Sequence, residues 1–302
     1  MDGVLLIDKP SGPTSHDVVL RLRRTTGERS IGHTGTLDPR ATGLLPLVLG
    51  RATRLASVLT GGDKTYEATI QLGVSTDTDD ADGRPTGPVT TVLPDDATID
   101  RALLTFHGTF DQTPPSHSAK KILGRKAYDL ARRHQAVELA PVAVTVHEVE
   151  RTGRLGACVC VRVSATAGFY VRALARDLGR ALGCGAHLTA LRRTRSGVFD
   201  VSAALSLSVA ERLGKSLAEH LLSPADALPD LPAVQVTDLG LKRAAHGNPL
   251  GPEHLVGGPM PAARAATRRP QAGRVRVIGP DGRLVALADS RGGALHPVVV
   301  LG

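Results

Sequence analysis

Apolar positions along the chain repeat with two different periods, and each change of period marks an element. Val4–Ile7 is a short unbroken apolar run and predicts a buried strand. Ser15 can cap a helix over residues 16–26, with Val18, Val19 and Leu22 as its apolar stripe and Gly27 as its stop. From Tyr66 to Leu72 the residues alternate: Tyr66, Ala68, Ile70 and Leu72 face one way, and Glu67, Thr69 and Gln71 the other. The Val-rich stretches 142–149 and 157–165 predict further strands. Val171, Leu174, Ala175, Leu178 and Leu182 then recur at helical spacing. Strands and helices mix without a regular βαβ alternation. That predicts an α+β fold whose mixed, largely antiparallel sheet is flanked by helices.

Two stretches break this pattern. Residues 223–233, Ser-Pro-Ala-Asp-Ala-Leu-Pro-Asp-Leu-Pro-Ala, read as an interdomain linker. Short strand-like runs follow at 234–237, 274–278, 284–287 and 296–301. A domain over 1–225 and a small C-terminal β domain over 233–302 are therefore expected. Within the latter, residues 257–273, rich in Gly, Pro, Ala and Arg, read as a mobile loop. Residues 114–140 carry Lys120, Lys121, Arg125, Lys126, Arg132 and Arg133, with a helical stretch around Tyr128–Arg133.

Composition narrows the function classes. A chain of 302 residues suits two domains, and 41% hydrophobic content is enough for a packed core. With no Trp and 2% aromatics, that core is built from Leu, Val and Ala, and each of the three tyrosines is worth locating. A net charge of +8 and a pI near 9.9 predict a polyanionic partner. No basic amphipathic helix of the membrane-surface type and no apolar run of bilayer length is present in the sequence, and Val4–Ile7 is too short for a signal peptide. Cys158, Cys160 and Cys184 form no C-x-x-C pair and no zinc spacing. Cys158 and Cys160 are read as small hydrophobes on one face of a strand, and a reducing cytoplasm fits. The acidic run Asp77–Asp82 fails the EF-hand template, since counting from Gly83 puts the first ligand at Thr78 and the twelfth at Val89. It is read as a solvated turn. No Gly-rich stretch has P-loop or dinucleotide-binding spacing, so nucleotide hydrolysis and hydride transfer have no support.

The strongest chemical signal is Gly32-His33-Thr34-Gly35-Thr36-Leu37-Asp38-Pro39-Arg40-Ala41-Thr42-Gly43. Its glycines permit backbone conformations closed to other residues, and Pro39 fixes its own φ and pushes Asp38 out of the helical region. A carboxylate held this way can be aimed. A lone Asp-Pro reads more simply as a turn or cap aspartate.

Here the context is wider. The run resembles the catalytic motif of the bacterial tRNA pseudouridine-55 synthase family. Asp8-Lys9-Pro10-Ser11-Gly12-Pro13-Thr14-Ser15 resembles the family's N-terminal motif. Lys64-Thr65-Tyr66-Glu67, the loop Ser75–Gly83, Gly168-Phe169-Tyr170-Val171-Arg172 and His187–Arg193 match further family motifs in order. Together they cover most of residues 3–200.

The resemblance implies the pseudouridine synthase fold, with a PUA-like RNA-binding module as the C-terminal domain. It implies isomerisation of the T-loop uridine of tRNA, with base flipping, and neither metal nor redox cofactor. Asp38 is the implied nucleophile, an ionised carboxylate that attacks the nucleoside and departs again. Arg172 is implied as the cation that keeps it charged. Tyr66 is implied to stack on the base and to assist proton transfer at C5, Tyr170 to pack beside nucleophile and substrate, and Leu191 to wall the base. His33 is implied to fill the space of the extruded base rather than to act as an acid or base. Segment 114–140 is implied to be an insertion that grips the RNA. It departs from the family at His117, where an aromatic is usual, and at Lys120, where an apolar residue is usual. The partner implied is the tRNA T arm, with no membrane, no obligate protein partner, a monomer and the cytoplasm as setting. Two rivals share the scaffold: a guide-dependent synthase of ribosomal RNA within a ribonucleoprotein, and a non-catalytic RNA-binding or RNA-folding protein.

Overall fold

The computed structural model describes residues 1–115, 121–122, 125–126, 140–257 and 273–301. The expected RNA-gripping insertion near 114–140, with His117 and Lys120, and the loop 257–273 thus fall almost wholly outside the described residues. In chain order the strands are β1 (Gly3–Lys9), β2 (Ile31–His33), β3 (Thr42–Leu49), β4 (Lys64–Leu72), β5 (Gly108–Gln112), β6 (Lys121–Ile122), β7 (Arg125–Lys126), β8 (Val142–Leu155), β9 (Cys158–Ala165), β10 (Ala186–Ser196), β11 (Phe199–Asp200), β12 (Leu205–Ser206), β13 (Ala233–Gln235), β14 (Arg274–Ile278), β15 (Leu284–Arg291) and β16 (Ala294–Val300). The longer helices are Ser15–Thr26, Asp96–Leu104, Val171–Ala181 and Asp238–Ala245. Two compact units emerge: Met1–Pro39 with Leu44–Gly62 and Gly197–Gly302, and Arg40–Gly43 with Asp63–Ser196.

In the first unit β1 lies between β12 and β3, parallel to β12, while β2 runs antiparallel to β3. The Ser15–Thr26 helix buries Val18, Val19 and Leu22 and ends at Gly27, whose φ of 77° closes it as the sequence predicts. Its cap differs from expectation. Thr14, not Ser15, accepts from the Asp17 amide, and Asp17 answers the Thr14 amide in a capping box. Ser15 is thereby released for another contact, described below. A four-stranded sheet, β13-β14-β15-β16, completes this unit and encloses Val236, Val275, Val277, Ala286 and Leu295. From its other side Leu284 and Leu287, with Leu301, join Val4, Leu44, Val48 and Leu55 in one core.

The second unit is built on the strand order β10-β4-β9-β8-β5, antiparallel throughout. The alternation read from Tyr66 to Leu72 is the alternation of β4: Ala68, Ile70 and Leu72 are buried, with Val159, Val161 and Val163 of β9 beside them. The Asp96–Leu104 and Val171–Ala181 helices close over that face with Ile99, Leu103, Leu174 and Leu178. Arg151 on β8 fixes the first of these helices, donating to both oxygens of Asp100 at 2.7 and 2.9 Å. Cys158 and Cys160 do share a face, but the alternating valines Val159, Val161 and Val163 take the core. The cysteines are half-buried on the opposite side, where Cys158 Sγ donates to Gln71 Oε1 at 3.1 Å.

Thr42 and Gly43, at the start of β3, pair in parallel with Arg192 and Arg193 of β10. Gly43 has φ 96°, and a Cβ there would stand 2.3 Å from the Arg193 carbonyl oxygen. Both conformation and space demand glycine. Gly43→Ala should therefore lower stability by about 3 kcal/mol in urea unfolding. An unchanged midpoint would show that the strands part there without cost.

Candidate active site

The chemistry of the first unit is organised by a lysine rather than by the aspartate. Lys9 ends β1 and is fully buried. An ammonium taken out of water is costly unless its donors are satisfied. Its Nζ donates to the carbonyls of Pro10 at 2.9 Å, Pro13 at 2.8 Å and Pro39 at 3.1 Å. One cation thus draws the loop 10–13 and the residue after Asp38 onto a common point. The Gly12 amide adds a second bond to the Pro39 carbonyl at 2.9 Å. On the other side of Asp38, Ser15 Oγ donates to the Leu37 carbonyl at 3.1 Å and accepts from the Leu37 amide at 2.8 Å. Asp38 itself belongs to no helix or strand and is half-buried. Its backbone is pinned on both sides by the N-terminal motif. His33 lies half-buried on β2, opposite Leu47, and is followed by Thr34, whose amide donates to Pro46 O at 3.1 Å.

The second unit holds Tyr66, Tyr170, Arg172 and Leu191. Leu191 pairs with Ala68 across β10 and β4, which makes it the diagonal neighbour of Tyr66. Both are half-buried and pack on the same core cluster. Behind them the face turns cationic. Arg193, opposite Tyr66, is 1% exposed, and Lys64, two residues before it, is 6% exposed. Burial, reinforced by the neighbouring Arg193 cation, brings the Lys64 pKa down to about 8, with Asp63 opposing the shift. Lys64 stood only as part of a motif in the sequence, and the pattern gave no sign that Arg193 would be buried.

Arg172 begins the Val171–Ala181 helix and is 7% exposed, so it is no solvent-facing member of the Arg172, Arg176, Arg180 series. Its Nη1 lies 3.5 Å from Asp80 Oδ2 and 3.4 Å from the Thr78 carbonyl. One turn on, Arg176 pairs with Asp79 at 3.2 Å. The acidic loop is therefore not the solvated turn expected from its composition. Asp80 is oriented by Thr78 Oγ1 and by the Asp82 amide on its other oxygen, and the Asp79 carbonyl accepts from the Leu188 amide at 3.0 Å. Burial raises the Asp79 pKa, only partly offset by Arg176 and Arg172. Asp79 also has φ 61°, an uncommon conformation for an aspartate. Alternating acids spaced along a loop gave no periodic signal by which sequence could pair them with helix arginines.

Tyr170 precedes that helix in an extended conformation and makes no side-chain capping bond. Its main chain is held instead by Gln112, which sequence reasoning did not single out. Among the described residues no group of three or more His, Cys, Asp or Glu is placed to hold a metal ion.

Two measurements test these cations. Lys9→Met strands three inward-facing carbonyls and should cost roughly 3 kcal/mol or more in urea unfolding. Lys9→Arg should not restore it, because the closed site has no room for the larger head group; full stability of either variant would remove Lys9 from its organising place. Lys64 binds its proton more weakly in the folded than in the unfolded chain, so its contribution to stability is fully present above pH 10.5 and is lost as pH falls through about 8. Between about pH 7 and pH 10.5 the stability of the parent protein should gain roughly 3 kcal/mol on that of Lys64→Met. A pH-independent difference would show that Lys64 titrates as it does in the unfolded chain.

Comparison with known proteins places this architecture. Residues 23–171 match the TruB family pseudouridylate synthase N-terminal domain, and residues 172–228 the tRNA pseudouridylate synthase B C-terminal domain. The tRNA pseudouridine synthase B of Thermobifida fusca (strain YX) is 42% identical over 99% of this chain and 98% of its own length. That of Solibacter usitatus (strain Ellin6076) is 40% identical over 100% of both chains. Among solved structures, a chain of an H/ACA ribonucleoprotein bound to a substrate RNA containing 2'-deoxyuridine superposes with a TM-score of 0.73 at 25% identity, covering 99% of this chain and 85% of its own. A chain of a Cbf5-Nop10-Gar1 complex gives 0.73 at 28% identity, covering 99% and 85%. The fold is thus the pseudouridine synthase fold, and the chain belongs to the TruB family of pseudouridylate synthases.

Proposed function

We propose that the protein is a tRNA pseudouridine-55 synthase, an isomerase that converts the T-loop uridine of tRNA to pseudouridine. The observation that carries this is full-length identity of 40–42% to curated tRNA pseudouridine synthases. The ribonucleoprotein chains stand further off at 25–28%, which favours the stand-alone enzyme over the guide-dependent rival.

In this reading Asp38 is the nucleophile. The N1–C1′ bond breaks, the base turns over and C5 joins C1′; the C5 proton passes to water and N1 takes up a proton from water. No electrons are gained or lost. A carboxylate on a loop fixed at Leu37 and Pro39 supports the role, because a nucleophile must be aimed to within tenths of an ångström. Tyr66 stacks on the base and assists at C5, and Leu191 supplies the apolar wall. Stacking of this kind contributes ~1–3 kcal/mol per base. Arg172 serves as the charged partner that keeps the nucleophile ionised, and Tyr170 packs beside the substrate. His33 occupies the space left by the flipped base, at a site whose opening costs a few kcal/mol.

Residues 1–225 form the catalytic domain, with its RNA-gripping insertion near 114–140, and 233–302 a PUA-like RNA-binding domain. The tRNA T arm is the partner. The working unit is a monomer, acts in the cytoplasm and needs no obligate protein partner.

A T-arm RNA with tritium at C5 of its T-loop uridine tests the reading without metal or added cofactor. The parent protein should release tritium to water, Asp38→Asn should release none, and His33→Ala should retain part of the activity. Retained release in Asp38→Asn would remove the nucleophile. No release by a parent protein that binds the RNA would favour the guide-dependent or non-catalytic scaffold.

A further inference from the structure

Gln112 ends β5 and is 2% exposed. Its carboxamide meets the main chain of one residue twice. Oε1 accepts from the Tyr170 amide at 2.8 Å, and Nε2 donates to the Tyr170 carbonyl at 3.1 Å. This is the pairing that a neighbouring strand would offer, supplied by a single side chain. The Tyr170 carbonyl also accepts the first bond of the following helix, from the Leu174 amide at 3.1 Å. Both peptide planes flanking Tyr170 are therefore fixed, although the residue lies in no strand and has no cap of its own. The next residue after Gln112 repeats the anchorage one turn along, where the Thr113 carbonyl accepts from Arg176 Nη2 at 2.9 Å. A buried amide needs partners for both of its ends, and here one residue's backbone supplies them.

We infer that Gln112 is a positioning residue. Its carboxamide sets the backbone angle at Tyr170, and through the first helical turn the direction of Arg172, so that Tyr170 meets the uridine in the reacting geometry and Arg172 keeps the aim its role as charged partner needs. The inference rests on the functional reading above. Gln112 itself touches no reacting atom; it acts through Tyr170.

Two variants and one control test it. Gln112→Met keeps the volume and removes both bonds. Gln112→Glu keeps an acceptor, but its carboxylate repels the Tyr170 carbonyl until protonation restores a donor. Val159→Ala, a core truncation opposite Ile70 in the same unit, controls for lost stability. Single-turnover tritium release at saturating enzyme, T-arm RNA affinity and melting temperature are measured for each. The Met variant should lose about 10–100-fold in maximal rate while its RNA Kd stays within about threefold, and Val159→Ala should keep the parent rate. The rate of Gln112→Glu relative to parent should be low at about pH 8 and recover toward about pH 6, as a buried carboxyl takes up its proton. Unchanged maximal rates, or losses that follow melting temperature through Val159→Ala as well, overturn the assignment. Should Gln112→Met not fold, the Gln112→Glu ratio decides alone, and a pH-independent ratio overturns it. Absence of release by the parent protein overturns the functional reading instead, and the positioning role with it.

Discussion

A buried ammonium ion dictates the local structure around Asp38. Lys9 cannot be hydrated where it lies, so the chain must bring carbonyl oxygens to it, and those oxygens belong to the loop 10–13 and to the residue that follows Asp38. Proline suits all three of these places for a reason beyond its rigidity. It offers a carbonyl and has no N–H that would compete for space near the cation. The sequence Asp-Lys-Pro-Ser-Gly-Pro is therefore best understood as the counterpart of Leu-Asp-Pro. One supplies the charge and the other is gathered by it. The carboxylate gains a fixed direction without any regular secondary structure beneath it.

The second unit solves a related problem with arginine. The Val171–Ala181 helix carries guanidinium groups inward on successive turns, and the loop 77–82 answers with Asp80 and Asp79. The planar guanidinium remains charged whatever its surroundings, so the carboxylates must adapt, and Asp79 does so at the expense of an unusual backbone conformation. On β4 and β10 the same unit holds Lys64 and Arg193 close together out of water, an arrangement that costs stability and is tolerated beside the half-buried Tyr66 and Leu191.

Much of this was legible in the residues alone. The alternation from Tyr66 to Leu72, the stripe of the Ser15–Thr26 helix and its Gly27 stop follow from periodicity and capping chemistry, and each is where the pattern puts it. The constraint on Asp38 was legible in the glycines and Pro39 around it, and the backbone is held on both sides of it. What escaped were contacts that depend on side chains from distant strands. Gln112 looks like any polar residue at a strand end, and only the fold brings Tyr170 to it. The acidic run 77–82 reads as solvated because its partners, Arg172 and Arg176, lie about ninety residues on. Ser15 looked like the helix cap, but Thr14 competes for that place and wins by a capping box, leaving Ser15 to hold Leu37. The cysteines followed the strand period, but which face the valines claim is settled by the helices that cover them.

The core that joins Val4 and Leu44 to Leu284, Leu287 and Leu301 has a consequence for the birth of the protein. A chain made from its amino end exposes β1 and β3 long before the residues that cover them are synthesised. The unit spanning residues 63–196 is nearly contiguous and can close on itself as it emerges, whereas the unit carrying Asp38 must wait for residues beyond 280. Vectorial synthesis therefore delays the scaffold around Asp38 until last. An incomplete chain still on the ribosome cannot yet form the finished core beneath the Asp38 loop.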